Sequence, residues 1–167
     1  IVGERFLHRE TLRPTVAVED ATVQGRGTTD RFSPASLLVT TLADELKLAT
    51  GGHAYVVSIA PQATMAILSG GHAADQAVWI DDRNGQWVTS SYYGELPLWA
   101  DLRNTRQSID RRLAAGTWQP LQRNKPTVLL NGTTVKPFSH RMAGSGRFGA
   151  FKTSAMVNDE MAAAVAD

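Results

Sequence analysis

The chain has 167 residues, 43% of them hydrophobic, with 14 Gly, 7 Pro and no Cys. A chain of that length buries roughly 70% of its unfolded surface, so one domain with its own core is expected, and disulfide frameworks and thiolate metal sites are excluded. Its formal charge of +1, from 17 Lys and Arg against 16 Asp and Glu, gives no field to gather a polyanion and argues against a nucleic-acid partner.

Residues 1–32 alternate loosely, with Thr15-Val-Ala-Val18 and Ala21-Thr-Val23 as strand candidates and Gly25, Gly27 and Asp30 marking a loop. Ser33 before Pro34 has the chemistry of a helix start: a hydroxyl to cap free N–H groups, and a proline where no donor is needed. The spacing predicts a helix from there to about Thr50, ended by Gly51-Gly52, with Leu38, Leu42, Leu46 and Ala49 on one buried stripe.

Tyr55 to Asp81 is the most organised stretch. Tyr55-Val-Val-Ser-Ile59 reads as a strand buried on both faces, followed by a short helix, a Gly70-Gly71-His72 turn and a second strand, an order that favours a parallel pair. Ala77-Val-Trp-Ile80 and Trp87-Val-Thr89 flank Arg83-Asn-Gly-Gln86, which predicts a hairpin with a type I′ turn. Residues 97–115 read as one helix closed by Gly116, with Trp99, Leu102, Ile109 and Leu113 on its apolar face and Arg103, Arg106, Asp110 and Arg111 elsewhere. A second hairpin is expected from Val128-Leu-Leu130 and Thr133-Thr-Val135 around Asn131-Gly132. Residues 136–150 read as a long loop, and Ser154 as the cap of a last helix with Val157, Met161 and Val165 spaced by four.

Few residues cluster as chemistry demands. His8, His53, His72 and His140 are scattered singly, and His72 has a nearby carboxylate, Asp75, a pair better explained by a turn than by a metal. Gly144-Ser-Gly-Arg-Phe-Gly149 has the dinucleotide-binding glycine spacing, but Ser139-His-Arg-Met-Ala143 makes a poor strand before it, so a surface loop is expected. Ala143-Gly-Ser-Gly-Arg147 misses the nucleophile elbow at both outer positions. The Asn131-Gly-Thr133 sequon lies in a turn, and Arg103, Arg106, Arg111 and Arg112 read as a solvated helix face. Tyr92 and Tyr93, before Gly94, suit either the wall of a pocket or the core. A non-catalytic module binding a ligand or protein through residues 70–100 is the alternative to any enzymatic reading.

The run Thr41-Leu-Ala-Asp-Glu-Leu-Lys47, Val56-Val-Ser-Ile-Ala60, Gly70-Gly-His72, Trp79-Ile-Asp81, Trp87-Val-Thr89, Tyr92-Tyr93 and Trp99-Ala100 resembles the middle of a bacterial type I phosphodiesterase/nucleotide pyrophosphatase, in the alkaline phosphatase superfamily. Ile1-Val-Gly3 is similar to that family's Gly-Ile-Val-Gly-Asn segment, and Phe151-Lys-Thr-Ser154 with Asn158 resembles the start of a later helix. The resemblance implies an α/β fragment of an alkaline-phosphatase-like fold, a mixed sheet with flanking helices and β-hairpins. It also implies a site with two zinc ions and a Thr or Ser that is transiently phosphorylated, acting on a phosphate ester or nucleotide. The nucleophile and metal ligands fall outside the matched segments, so no catalytic residue and no zinc ligand is expected within residues 1–167, and the partner that completes the site is the remainder of the catalytic domain.

Two departures bear on substrate. Glu4 stands where the family has an Asn that donates to a phosphate oxygen, and Ala60-Pro61-Gln62 stand where monoester-preferring relatives carry Lys-x-Arg. Diester or pyrophosphate substrates are therefore expected over monoesters, with Glu4, Gln62, His72, Tyr92 and Tyr93 as substrate-binding candidates. Ile1 in place of Met, and an ending without a stop signal, lead to the expectation of one domain over 1–167 that is an internal fragment, inactive alone. Family members are exported, which implies a periplasmic or extracellular setting. No apolar run reaches the roughly 18 to 20 residues that span a bilayer as a helix.

Overall fold

The computed structural model describes residues 4–120, 126–135 and 137–166. Its centre is a four-stranded mixed sheet in the order β3-β6-β5-β4, where β3 is Gly25–Arg26, β4 Val57–Ile59, β5 Gln76–Ile80 and β6 Trp87–Ser90. Strand β4 runs parallel to β5, while β5–β6 and β6–β3 are antiparallel. The expected parallel pair and the hairpin after it are both present.

Successive side chains of a strand point to opposite faces, and in β5 both directions are apolar. Ala77 and Trp79 enter one core with Val18, Ala66, Ile67, Val88 and Tyr93. Val78 and Ile80 enter the other with Trp87, Ala100, Ile109, Leu113, Phe148 and Phe151. The first core is covered by the crossover helix α2 (Ala63–Gly70), with α1 (Leu42–Ala49) packed against that helix. The second is covered by α3 (Leu98–Arg106), α4 (Ile109–Ala115), α5 (Arg147–Lys152) and α6 (Met156–Ala166). Small antiparallel pairs complete the fold: β1 (Arg5–Leu7) with β2 (Pro14–Val16), β7 (Thr117–Trp118) with β10 (His140–Arg141), and the expected hairpin of β8 (Thr127–Val128) and β9 (Thr134–Val135).

Several boundaries differ from the sequence expectation, each for a local reason. The first helix starts at Leu42, not Ser33, because Thr41 and Asp44 form a capping box there. Ser33 instead donates to Asp20 at 2.5 Å and caps a single turn through Ala35 N. The anticipated buried stripe is turned to the surface: Leu38, Leu42 and Leu46 are 94%, 87% and 48% exposed. Strand 55–59 shortens to β4 and lies at the sheet edge, so it is only partly covered. The hairpin turn is not type I′, since Gly85 has a positive φ of 67° and Asn84 does not; the Asp81 carboxylate organises it by accepting from Arg83 N and Asn84 N.

The expected helix over 97–115 breaks in two, with Ser108 capping α4. Residues 136–150 contain β10 and the start of α5, and Ser154 donates its hydroxyl back to the Phe151 carbonyl instead of capping α6. Arg103 is buried, contrary to its assignment to a solvated face. It donates to Glu160 from Nε and Nη2 at 3.2 and 3.1 Å, Trp87 Nε1 donates to the same oxygen at 2.8 Å, and Arg112 pairs with the other.

Glu160 thus ties α3, α4 and α6 to β6. Removing one partner of a buried ion pair strands the others' charge at a cost of about 3–5 kcal/mol. Glu160→Ala is accordingly expected to lower the unfolding free energy by that order in urea titration. Replacing Glu160, Arg103 and Arg112 together by Met is expected to recover most of the loss.

Candidate functional site

In open α/β sheets, ligand crevices form beyond the carboxyl ends of parallel strands. Here β4 ends into Ala60-Pro61-Gln62, β5 ends at Asp81-Asp82, and α2 begins between them. A cavity of about 500 Å³ lies at this end, and its lining includes Glu4, Arg5, Asp30, Gln62, Trp79 and Lys152. Two of the residues singled out in the sequence, Glu4 and Gln62, are therefore brought together from positions 58 apart in the chain.

The cavity's charges are largely matched in pairs. Lys152, with its side chain only 7% exposed, contacts Asp82 at 2.6 Å and donates to the Ile80 carbonyl at 3.0 Å. Arg83 meets Asp30 at 2.5 Å and Asp81 at 3.5 Å. Burial alone would push the Asp81 carboxyl upward. The Thr28 hydroxyl at 2.5 Å, the N–H groups of Asn84 and Arg83 and the Arg83 charge outweigh it, and Asp81 is held below the usual carboxylate range.

His72, Tyr92 and Tyr93 lie at the other end of α2, about 12 Å away along an eight-residue helix. Tyr93 donates to the Gly71 carbonyl at 3.3 Å and Tyr92 to the His72 carbonyl at 3.0 Å, their rings edge to face at 4.9 Å. Burial, with Tyr92 and Asp44 nearby, pushes the Tyr93 hydroxyl well above the ordinary phenol range, so it acts as a neutral donor. His72 Nδ1 is 3.7 Å from Asp44, whereas Asp75 binds Lys47 at 2.7 Å and Val56 N at 2.6 Å; the His72–Asp75 pairing does not form.

The Gly-Gly-His turn has a steric cause. Gly71 has φ 70°, and a Cβ there would lie 2.3 Å from both Asp44 Oδ2 and Thr41 Oγ1. Asp44 is buried, yet hydrogen bonds from Thr41 and Ala73 hold its carboxyl below the usual range.

Zinc requires three or four converging donors. Among the described residues no group of three or more His, Cys, Asp or Glu is placed to hold a metal. The cavity carboxylates Asp30, Asp81 and Asp82 are committed to Arg83, Thr28 and Lys152. These donors do not fit a zinc centre.

No protein-family model matches the chain. It is 32% identical over 149 residues to alkaline phosphatase PhoV of Synechococcus elongatus, covering 87% of this chain and 27% of that protein. It is 37% identical over 125 residues to a protein of Myroides odoratus named a calcium-transporting ATPase, covering 72% of this chain and 23% of that one. The crystal structure of alkaline phosphatase PafA superposes with a TM-score of 0.71 at 27% identity, over 98% of this chain and 35% of that chain.

The chain belongs to the alkaline phosphatase superfamily. It has the alkaline-phosphatase fold across nearly its whole length, and it spans about a quarter of the length of the curated relatives and about a third of the solved structure. No helix among the described residues is long and apolar enough to cross a membrane.

Lys152, Asp82, Arg83 and Trp79 were not among the site residues expected from the sequence. The carboxylates had a readable signal, a charged pair at the carboxyl end of an all-apolar strand; Lys152 had none, since only the tertiary fold brings α5 to the cavity.

Two outcomes follow from the carboxylates and Gly71. Asp44 and Asp81 titrate lower in the folded chain, so their stabilisation is complete above the unfolded value near 3.9 and is lost as pH falls through their folded values. Asp81→Asn is expected to flatten the acid limb of stability against pH, measured by thermal melts. Gly71→Ala is expected to cost on the order of 2 kcal/mol or more in urea titration, through clash and left-handed strain.

Proposed function

We propose that this chain is the central, pocket-lining part of a zinc-dependent phosphoric-ester hydrolase of the phosphodiesterase/nucleotide pyrophosphatase kind. Its nucleophile and zinc ligands are carried on polypeptide other than residues 1–167, and the chain alone does not turn over. An exported setting, periplasmic or extracellular, belongs to the same reading and rests on the family resemblance.

The observation that carries the proposal is the joint presence of Glu4 and Gln62 in one cavity whose Lys and Arg side chains are mostly matched by carboxylates. A phosphate monoester carries nearly two negative charges at neutral pH and calls for surplus cations; a diester carries one. Ala60 and Gln62 bring no charge, Gln62 offers a neutral amide donor, and an ionised Glu4 repels a dianion more strongly than a monoanion. The charge balance therefore favours a diester or a pyrophosphate linkage. His72, Tyr92 and Tyr93 act from behind, fixing the turn that ends α2. With both tyrosine hydroxyls engaged internally, a ligand module centred on residues 70–100 has less support.

The test compares bis-p-nitrophenyl phosphate with p-nitrophenyl phosphate in the polypeptide that includes the flanking sequence, with zinc supplied. The diester is expected to have the higher kcat/KM, and Ala60→Lys with Gln62→Arg to shift the ratio toward the monoester by at least about tenfold. Zinc-dependent turnover by residues 1–167 alone overturns the placement of the catalytic groups.

A further inference from the structure

Among the described residues the cavity lining carries four carboxylates and three cations. Two of the carboxylates serve the wall itself: the Asp81 side chain is 1% exposed and engaged by the loop donors, and Asp30 is drawn to Arg83. Asp82 differs from both. Its side chain is 69% exposed, and the Lys152 ammonium at 2.6 Å is the one polar contact its carboxylate makes among the described residues. Its charge can therefore be removed without dismantling the turn or the strand end.

Lys152 is held from two sides. Its ammonium also donates to the Ile80 carbonyl at 3.0 Å, and its side chain is only 7% exposed. The carbonyl keeps the cation at the lining whatever the charge on Asp82, and the carboxylate sets how much of that cation's charge a ligand meets. Coulomb energy scales with the charge of the ligand, so a carboxylate at this position acts about twice as strongly on a dianion as on a monoanion.

We propose that Asp82 is a specificity-determining residue of this cavity: by neutralising Lys152 it withholds the cation that a phosphate dianion would use, and so turns the site toward the single charge of a phosphodiester. This role rests on the phosphoric-ester reading of the cavity. It assigns selection against monoesters to a residue separate from Glu4 and from Ala60 and Gln62, which lack a cation but do not mask one.

The test titrates the ¹⁵N-labelled 167-residue chain with methyl phosphate and dimethyl phosphate. At about pH 8, above the second phosphate ionisation at about 6, the first is a dianion and the second a monoanion. Read at the backbone amides of the cavity residues, Asp82→Asn is expected to tighten methyl phosphate about tenfold and dimethyl phosphate about threefold. Asp82→Glu keeps the charge and is expected to move neither. Salt at about 0.5 M is expected to narrow the difference between the two esters, which a mere change of cavity shape would not do. An Asp82→Asn chain that binds the two esters in the unmodified ratio, or binds neither, overturns the assignment, and so does an equal shift in Asp82→Glu. A selective gain in the titration without a diester preference in the longer polypeptide sinks the proposed function and leaves the role of Asp82; a diester preference without the selective gain sinks the role of Asp82 alone.

Discussion

The Asp81 carboxylate is the constraint on which the cavity depends. It closes the apolar strand β5, and from a buried position it binds three partners drawn from two loops: the Thr28 hydroxyl and the N–H groups of Arg83 and Asn84. Burial by itself favours the neutral acid, so the ionised carboxylate is tolerated there because these loop donors hydrogen-bond it. Arg83, set by that turn, reaches back to Asp30, and the loop at residues 28–30 is pinned against the mouth of the cavity. One side chain at a strand end thereby converts a sheet edge into a walled pocket.

Glu160 does comparable work on the opposite face. Its two arginines and Trp87 hold α3, α4 and α6 against β6, and α5, packed between α6 and the sheet through Phe148 and Phe151, delivers Lys152 to the cavity. Lys152 owes its position in the pocket to an ionic cluster in the helical layer. The two buried carboxylates differ in what surrounds them: Asp81 is satisfied largely by backbone and hydroxyl donors, Glu160 by guanidinium groups. The first shapes a loop and the second fixes helices.

The sequence was most legible where one force acted alone. The apolar run Ala77-Val-Trp-Ile80 became the central strand because burial on both faces leaves no alternative, and Gly70-Gly71 marked a turn because Gly71 has no room for a side chain. It misled where a helical period met a surface that only the tertiary fold defines. Leu38, Leu42 and Leu46 have the spacing of a core stripe, yet nothing among the described residues covers them. Arg103 looked solvated because no local pattern announces Glu160, 57 residues onward. For the same reason Glu4 and Gln62 could be matched to a family position by position, while their shared cavity, and Lys152 within it, waited for the fold.

The two ends of α2 show how an eight-residue helix separates support from recognition. At its C-terminal end the carbonyls of Gly71 and His72 are taken by two tyrosine hydroxyls, and the Asp44 carboxylate gathers Thr41 and Ala73 beside them. The carbonyls of Gly71 and His72 and the Asp44 carboxylate there all have partners. At its N-terminal end the N–H groups of Ala63, Thr64 and Met65 have no acceptor among the described residues. The helix is thus satisfied at one end and leaves its first-turn donors at the other, where Gln62, Ala63 and Thr64 line the cavity.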